Sequence, residues 1–260
     1  MDFSQTWLHA LNDILCNGTP VAPRGKMTME MPQRTMEVNM RQPVLRVPER
    51  SLNYKFMAAE AFWILSGDDR VETIAPYNAR IKDFSDDGER FFGAYGPKIK
   101  AQLPYIVEKL LADRDSRQAG LTIWRESPPQ TKDVPCTVAI FFNIREAKLN
   151  AHVFMRSSDV WLGIPYDVFN FSMLSHLVCG LLNEQSLTED QVTPGKLFLT
   201  AASSHLYETN WADAKACLDG QMLDQPETGI LLWNDPRYLM TALAVLRESR
   251  PGELARWWER

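Results

Sequence analysis

The chain has 260 residues, 45% of them hydrophobic and 10% aromatic, which is enough to bury a large core and is unlike a disordered composition. Its net charge of -5 argues against a general nucleic-acid binder, which carries a basic excess, so any phosphate it takes is expected on a small ligand held by a few arginines. Apolar stretches fall far short of a membrane span, and Met1-Asp2-Phe3-Ser4 leads into no signal-peptide pattern, so a cytoplasmic protein without a membrane partner is expected.

In chain order, residues 2–16 predict an amphipathic helix with Phe3, Trp7, Leu8, Leu11, Ile14 and Leu15 on one face. Residues 26–47 alternate and carry prolines, which suggests strands. Ser51 is placed to cap a helix that runs through Leu65 and stops at Gly67. Glu60 lies in its most apolar part. Residues 69–96 read as loop-rich and 98–112 as a helix. Three strands follow, Ala119–Trp124, Thr137–Ile144 and Lys148–Met155, the last two joined by a hairpin at Arg145-Glu146-Ala147. Residues 166–183 form a strongly apolar helix, 196–201 a strand and 206–218 a further helix. No Gly/Ser/Pro-rich linker divides the sequence, so residues 1–260 are read as one α+β domain with a largely antiparallel or mixed sheet.

Four cysteines, Cys16, Cys136, Cys179 and Cys217, are widely scattered without a CxxC pair, so no metal site is expected. Cys179 and Cys217 sit in apolar helical patterns as core fillers. Cys136 follows Asp133-Val134-Pro135 at the start of an apolar strand. About twenty residues on comes Arg156-Ser157-Ser158-Asp159. A nucleophilic cysteine needs positive charge nearby to form its thiolate, and Arg156 supplies it if the two strands pair. The plain alternatives are a buried structural thiol and a surface ion pair between Arg156 and Asp159. Glu60 on an apolar helix face is costly to bury without a partner, and such a carboxyl has a raised pKa and can move protons; its alternative is a helix edge facing water. His9, His152 and His176 carry no motif. His205 lies in Ser203-Ser204-His205-Leu206-Tyr207, read as a ligand rim between strand and helix.

Together these residues resemble the thymidylate synthase family over most of the chain, in the family's order. Pro23-Arg24-Gly25 is similar to its N-terminal phosphate loop, and Glu60 through Asp68 to its glutamate helix. Gly93-Ala94-Tyr95-Gly96 resembles a Val-Tyr-Gly turn, and Asp115-Ser116-Arg117 an arginine segment that reaches across a dimer. Pro135-Cys136 is similar to the nucleophile motif. Arg156-Ser157-Ser158-Asp159 resembles Arg-Ser-x-Asp, Leu162-Gly163-Ile164-Pro165 resembles Leu-Gly-x-Pro, and Ser204-His205-Leu206-Tyr207 resembles Thr-His-Leu-Tyr.

The resemblance implies a large mixed sheet flanked by helices, a homodimer packed sheet to sheet, and a nucleotide and 5,10-methylenetetrahydrofolate as co-substrates. It implies Cys136 as the nucleophile on pyrimidine C6, with Glu60, Asp167 and Tyr95 also catalytic. Arg24, Arg156 and Ser157, with Arg117 of the second subunit, would hold the 5′-phosphate. His205 and Tyr207 would contact the sugar. Ile81, Asp159, the Gly163 backbone and Tyr166 would face the folate.

Departures from the family refine this. Asp167 stands where uracil-specific members carry Asn, as in cytidylate hydroxymethylases; a carboxylate accepts from the cytosine amino group and opposes uracil O4. Ile81-Lys82-Asp83 lacks the family's folate-facing Trp, and Arg256-Trp257-Trp258-Glu259-Arg260 replaces its apolar closing tail; losing both shields favours water over hydride. Gln118 stands where a second Arg is common and Thr137 where His is common. The expected activity is 5-hydroxymethylation of a cytidine monophosphate, dCMP ahead of CMP, as in a phage modifying its DNA precursors or a nucleoside-antibiotic pathway, with a dCMP methylase or divergent dTMP synthase as the nearest alternatives. A catalytically silent nucleotide- or RNA-binding member is the alternative from another class.

Overall fold

The computed structural model describes residues 2–186, 191–220 and 236–249. The first helix, α1 (Phe3–Asn17), is capped by Asp2, whose side chain accepts from the Gln5 amide at 2.8 Å. It buries Phe3, Trp7, Leu11 and Ile14, as their spacing predicts. A hairpin follows, β1 (Thr19–Val21) and β2 (Thr28–Asn39), with a 3-10 turn at Pro23–Gly25. The region expected to hold several strands thus holds one long one.

Helix α2 (Tyr54–Ser66) is capped by Asn53, whose side chain accepts from the Phe56 amide at 3.0 Å. The sequence had pointed to Ser51. That residue instead closes a 3-10 turn, Pro48–Arg50, in the left-handed region at φ 47°. An Asx side chain two positions nearer the helix reaches the orphan amide, and Ser51 cannot. The helix ends at Gly67, whose φ of 78° suits a residue without Cβ. A short helix α3 (Val71–Ile74) and a 3-10 turn (Ala79–Phe84) lead to α4 (Tyr95–Ala112).

Strands β3 (Gly120–Thr122), β4 (Thr137–Arg145), β5 (Lys148–Met155) and the two-residue β6 (Ser158–Asp159) precede α5 (Ile164–Gln185). After α5 come β7 (Thr193–Tyr207), α6 (Trp211–Asp219) and α7 (Pro236–Glu248). Glu146 and Ala147, at φ 51° and 57°, make the expected turn between β4 and β5. The sheet order among the described residues is β1-β2-β7-β5-β4-β3, with β6 beside β7. Antiparallel pairs join β1–β2–β7 and β3–β4–β5, while β5 and β6 run parallel to β7, so the sheet is mixed.

One sheet face is sealed by helices. Met36, Val38, Ile140, Phe142, Val153 and Leu199 point into it, all under 5% exposed. Helix α5 packs between the sheet and helices α2, α4 and α7, which is why it reads apolar on every side. The alternate residues line the other face, which no described helix covers. There Phe141 and Phe154 are 42% and 44% exposed and meet edge to face, and His152 stacks on Phe198 with ring centroids 4.9 Å apart. Among the described residues no helix is long and apolar enough to cross a membrane.

Candidate active site

The strand pairing predicted between Cys136 and Arg156 is present. Thr137 pairs with Met155, and the Arg156 amide donates to the Cys136 carbonyl at 2.9 Å. The Arg156 guanidinium turns back along the chain, donating to the Pro135 and Val134 carbonyls at 3.0 and 2.9 Å. It makes no ion pair with Asp159, whose Oδ1 accepts from the Trp161 and Leu162 amides instead. Half-buried Cys136 is held above the ordinary thiol pKa by burial, with Asp167, Asp133 and Asp159 adding to the rise and Arg156 opposing it. The resting sulfur is therefore a thiol.

Beside the cysteine lies a cavity of about 170 Å³. Its polar wall carries Glu60, Asp167, Asn170 and Asp133, and its apolar wall Ile81, Phe84, Phe91 and Trp63. Tyr95 belongs to both places: it lines the cavity, and its hydroxyl accepts from the Thr137 amide at 3.2 Å, next to Cys136. Burial, then Asp167 and Cys136, push the Tyr95 phenol up, so it stays protonated. Gly93 borders the cavity, and its place there suits glycine because a Cβ would stand 2.4 Å from the Asp133 carbonyl.

Of the three carboxyls on this cavity, Glu60 and Asp167 are more deeply buried than Asp133. Burial raises Glu60 to about 7, against the Asn170 amide nitrogen, which donates to its Oε2 at 2.7 Å. Burial, then Glu60 and Asp159, raise Asp167 to about 8. Asp167 sits in the first turn of α5, where Gly163 is its cap; a Cβ on Gly163 would come 3.2 Å from Asp167 Oδ2 and 3.1 Å from the Asp159 carbonyl. Among the described residues the Asp167 carboxyl accepts no hydrogen bond, so it is open to a ligand in the cavity.

The remaining predicted residues gather at one end of the sheet. His205 pairs with Asp159 of β6 and Glu30 of β2, so it lies inside β7 and not in a loop between strand and helix. Backbone partners on both sides carried the strand past the point where its sequence turns polar. Ser157 Oγ approaches His205 Nδ1 at 3.5 Å, and Tyr207 meets the His205 ring edge to face. Arg24, exposed at φ 54° in the β1–β2 turn, stands at the same end, because Thr28 pairs with Tyr207. Tyr166 accepts from the Asn53 amide at 3.3 Å. Burial raises Asp159, and its Oδ2 is buried without a partner among the described residues.

Arg117 is the outlier. It is exposed and precedes β3, whose neighbour Ala119 binds Phe142 six residues along β4 from Cys136. At about 3.3 Å per residue, that puts it roughly 20 Å from its own cysteine. Lys82 is exposed beside the cavity, and the tail Arg256–Arg260 lies outside the described residues.

Sequence reasoning passed over Asn170, Trp63, Phe84 and Asp133, which line the cavity, and Arg50, whose guanidinium donates to the Trp161 carbonyl and lies 4.5 Å over its ring. Asn170 carried a signal, being a polar side chain inside an apolar helix one turn beyond Asp167. No group of three or more metal-ligating side chains occurs among the described residues.

Comparison with known proteins bears on this geometry. A family model described as thymidylate synthase matches residues 5–239. The chain is 31% identical over 182 residues to a deoxyuridylate hydroxymethyltransferase of Bacillus phage SP01, covering 62% of this chain and 47% of that protein. It is also 31% identical over 187 residues to a deoxyuridylate hydroxymethyltransferase of Pseudomonas phage M6, covering 68% of this chain and 51% of that protein. The chain thus spans about half the length of the curated relatives it matches.

Proposed function

Because the chain belongs to the thymidylate synthase family, we propose that it transfers a one-carbon unit to C5 of a pyrimidine nucleotide. We take the substrate to be a cytidine monophosphate, dCMP first, and the product its 5-hydroxymethyl derivative. The observation that carries the base assignment is Asp167, an open carboxyl on the cavity where the family's uracil-specific members have an amide. The relatives' names concern deoxyuridylate; the cytidylate reading rests on Asp167. Their hydroxymethyltransferase names, with exposed Lys82 in place of an aromatic shield, support addition of water.

The site suits a folate. Ile81 and Phe84 offer an apolar wall to a flat ring, and the unpartnered Asp159 Oδ2 and the hydroxyl of Tyr166 offer polar contacts beside it. When bound, 5,10-methylenetetrahydrofolate supplies a carbon at the oxidation level of formaldehyde. The Cys136 thiolate bonds to C6, which makes C5 a carbon nucleophile. Asp167 accepts from the amino group and gives its proton to N3 as addition makes N3 basic. Glu60, near 7, takes the C5 proton, passes it to the nitrogen of the departing tetrahydrofolate, and then takes one from the water that adds to the exocyclic carbon. Departure of Cys136 restores the C5–C6 double bond. The sum is dCMP, methylenetetrahydrofolate and water in, and 5-hydroxymethyl-dCMP and tetrahydrofolate out, with no net redox change. Arg24, Arg156 and Ser157 would hold the phosphate, a dianion suited to arginine forks, and His205 and Tyr207 the sugar.

Incubation with dCMP, CMP and dUMP plus methylenetetrahydrofolate tests this reading, with products identified by mass. The expected product is dCMP heavier by a hydroxymethyl group, with no dihydrofolate absorbance. A methylated dCMP would retain the base and overturn the water step; turnover of dUMP alone would overturn the base.

The dimer belongs to the same proposal. The uncovered sheet face with exposed Phe141 and Phe154 supports sheet-to-sheet packing, and the distance of Arg117 from its own Cys136 supports its use across the interface. Arg117→Ala and Cys136→Ala proteins, each nearly inactive, are expected to regain up to about a quarter of wild-type activity after subunit exchange, since random pairing leaves one intact site in half of the dimers. A monomer in sedimentation at assay concentration would sink the shared site.

A further inference from the structure

We propose that Asn170 is a positioning residue for Glu60: its amide nitrogen holds one carboxylate oxygen in place so that the other faces the cavity. This rests on the reading above that Glu60 moves protons in the one-carbon transfer. Asn170 is 6% exposed on α5, surrounded by Val168, Phe169, Phe171 and Met173. Two other buried polar residues on that helix look after themselves: Ser172 donates to the Val168 carbonyl and Ser175 to the Phe171 carbonyl. Asn170 does not. Its one hydrogen bond among the described residues goes to Glu60 Oε2 at 2.7 Å, and its Oδ1 is buried with no partner. An unmet buried acceptor is costly, so an apolar side chain would serve packing better. Retaining the amide for a single bond to a cavity carboxylate marks its purpose as that carboxylate.

The other titratable groups around Glu60 offer it no cation. Asp167 and Tyr166 face it from α5, Tyr95 from α4, and Asp133 from the segment before β4. The amide is thus the group that favours the charged form. Losing it moves the Glu60 titration upward, and the acidic limb of kcat, where Glu60 must be ionised, moves with it.

The test compares wild type, Asn170→Ala and the milder Asn170→Ser, using whichever nucleotide wild type turns over. Carbon-13 titration of labelled glutamate runs alongside as a readout that needs no turnover. The expected result is an upward shift of the Glu60 titration and of the acidic limb by roughly one pH unit, the worth of a hydrogen bond to a charged group. Nucleotide affinity should not change, and Glu60→Gln should abolish the difference. A uniform loss of kcat with the limb and the titration unmoved would overturn the proposal, as would a rise in KM alone. A preference for dUMP would defeat the base assignment and leave this comparison intact.

Discussion

Cys136→Ser is expected to lower turnover by about three orders of magnitude or more, close to 4 kcal/mol of barrier at 1.36 kcal/mol per decade. The sulfur forms the bond to C6 on which every later step depends, and a serine hydroxyl has no comparable tendency to ionise or add. Nucleotide binding should persist, because Arg24, Arg156, Ser157 and His205 lie at the strand ends and not on the thiol. The resting thiol is pushed up by burial and by three carboxyls, so alkylation of Cys136 should also be slow at neutral pH and quicken on the alkaline side. Normal turnover by the serine protein, measured under single-turnover conditions, would rule out covalent addition at this residue.

Asp167→Asn should lower kcat/KM for dCMP and raise it for dUMP, each by roughly 5- to 150-fold, the worth of 1–3 kcal/mol of buried hydrogen bonding. An amide carries a permanent donor for uracil O4 and no proton to surrender to cytosine N3. Reading the residue as an ionised carboxylate, as the sequence suggests, is too simple: at about 8 the empty site holds the acid at neutral pH. A neutral acid can both donate and accept, so it tolerates uracil until it ionises. Ionisation also removes the proton that cytosine N3 needs, so wild-type turnover of dCMP should fall as pH rises through 8, and the Asn protein should lack that trend. Stability gives an independent check. Because the folded-state pKa lies above the unfolded value, the buried carboxyl costs nothing below about 4 and progressively more up to about 8. The gain in Tm from Asp167→Asn should be small at pH 5 and larger at pH 8. A wild-type enzyme that prefers dUMP at every pH would remove the base-reading role.

Apolar pattern was enough to place α1, α2, β4, β5 and α5: burial of one face imposes a helical spacing on α1, and burial on all sides gives α5 a long, nearly unbroken apolar run. The family pattern was legible for the same reason: Cys136, Glu60, Tyr95, Arg156 and Asp167 are chemically unusual where they stand. Other features depended on partners distant in sequence. His205 is in a strand because β2 and β6 flank it. Helix α2 starts at Asn53 because only that side chain reaches the free amide. Cys136 is a resting thiol because burial, with carboxyls from α5 and β6 adding to it, outweighs Arg156. Asn170 gains its partner only when α5 packs against α2. Local pattern fixes which residues are apolar and which can do chemistry; pKa values and pairings are set by burial and neighbours, and those exist only once the helices close over the sheet.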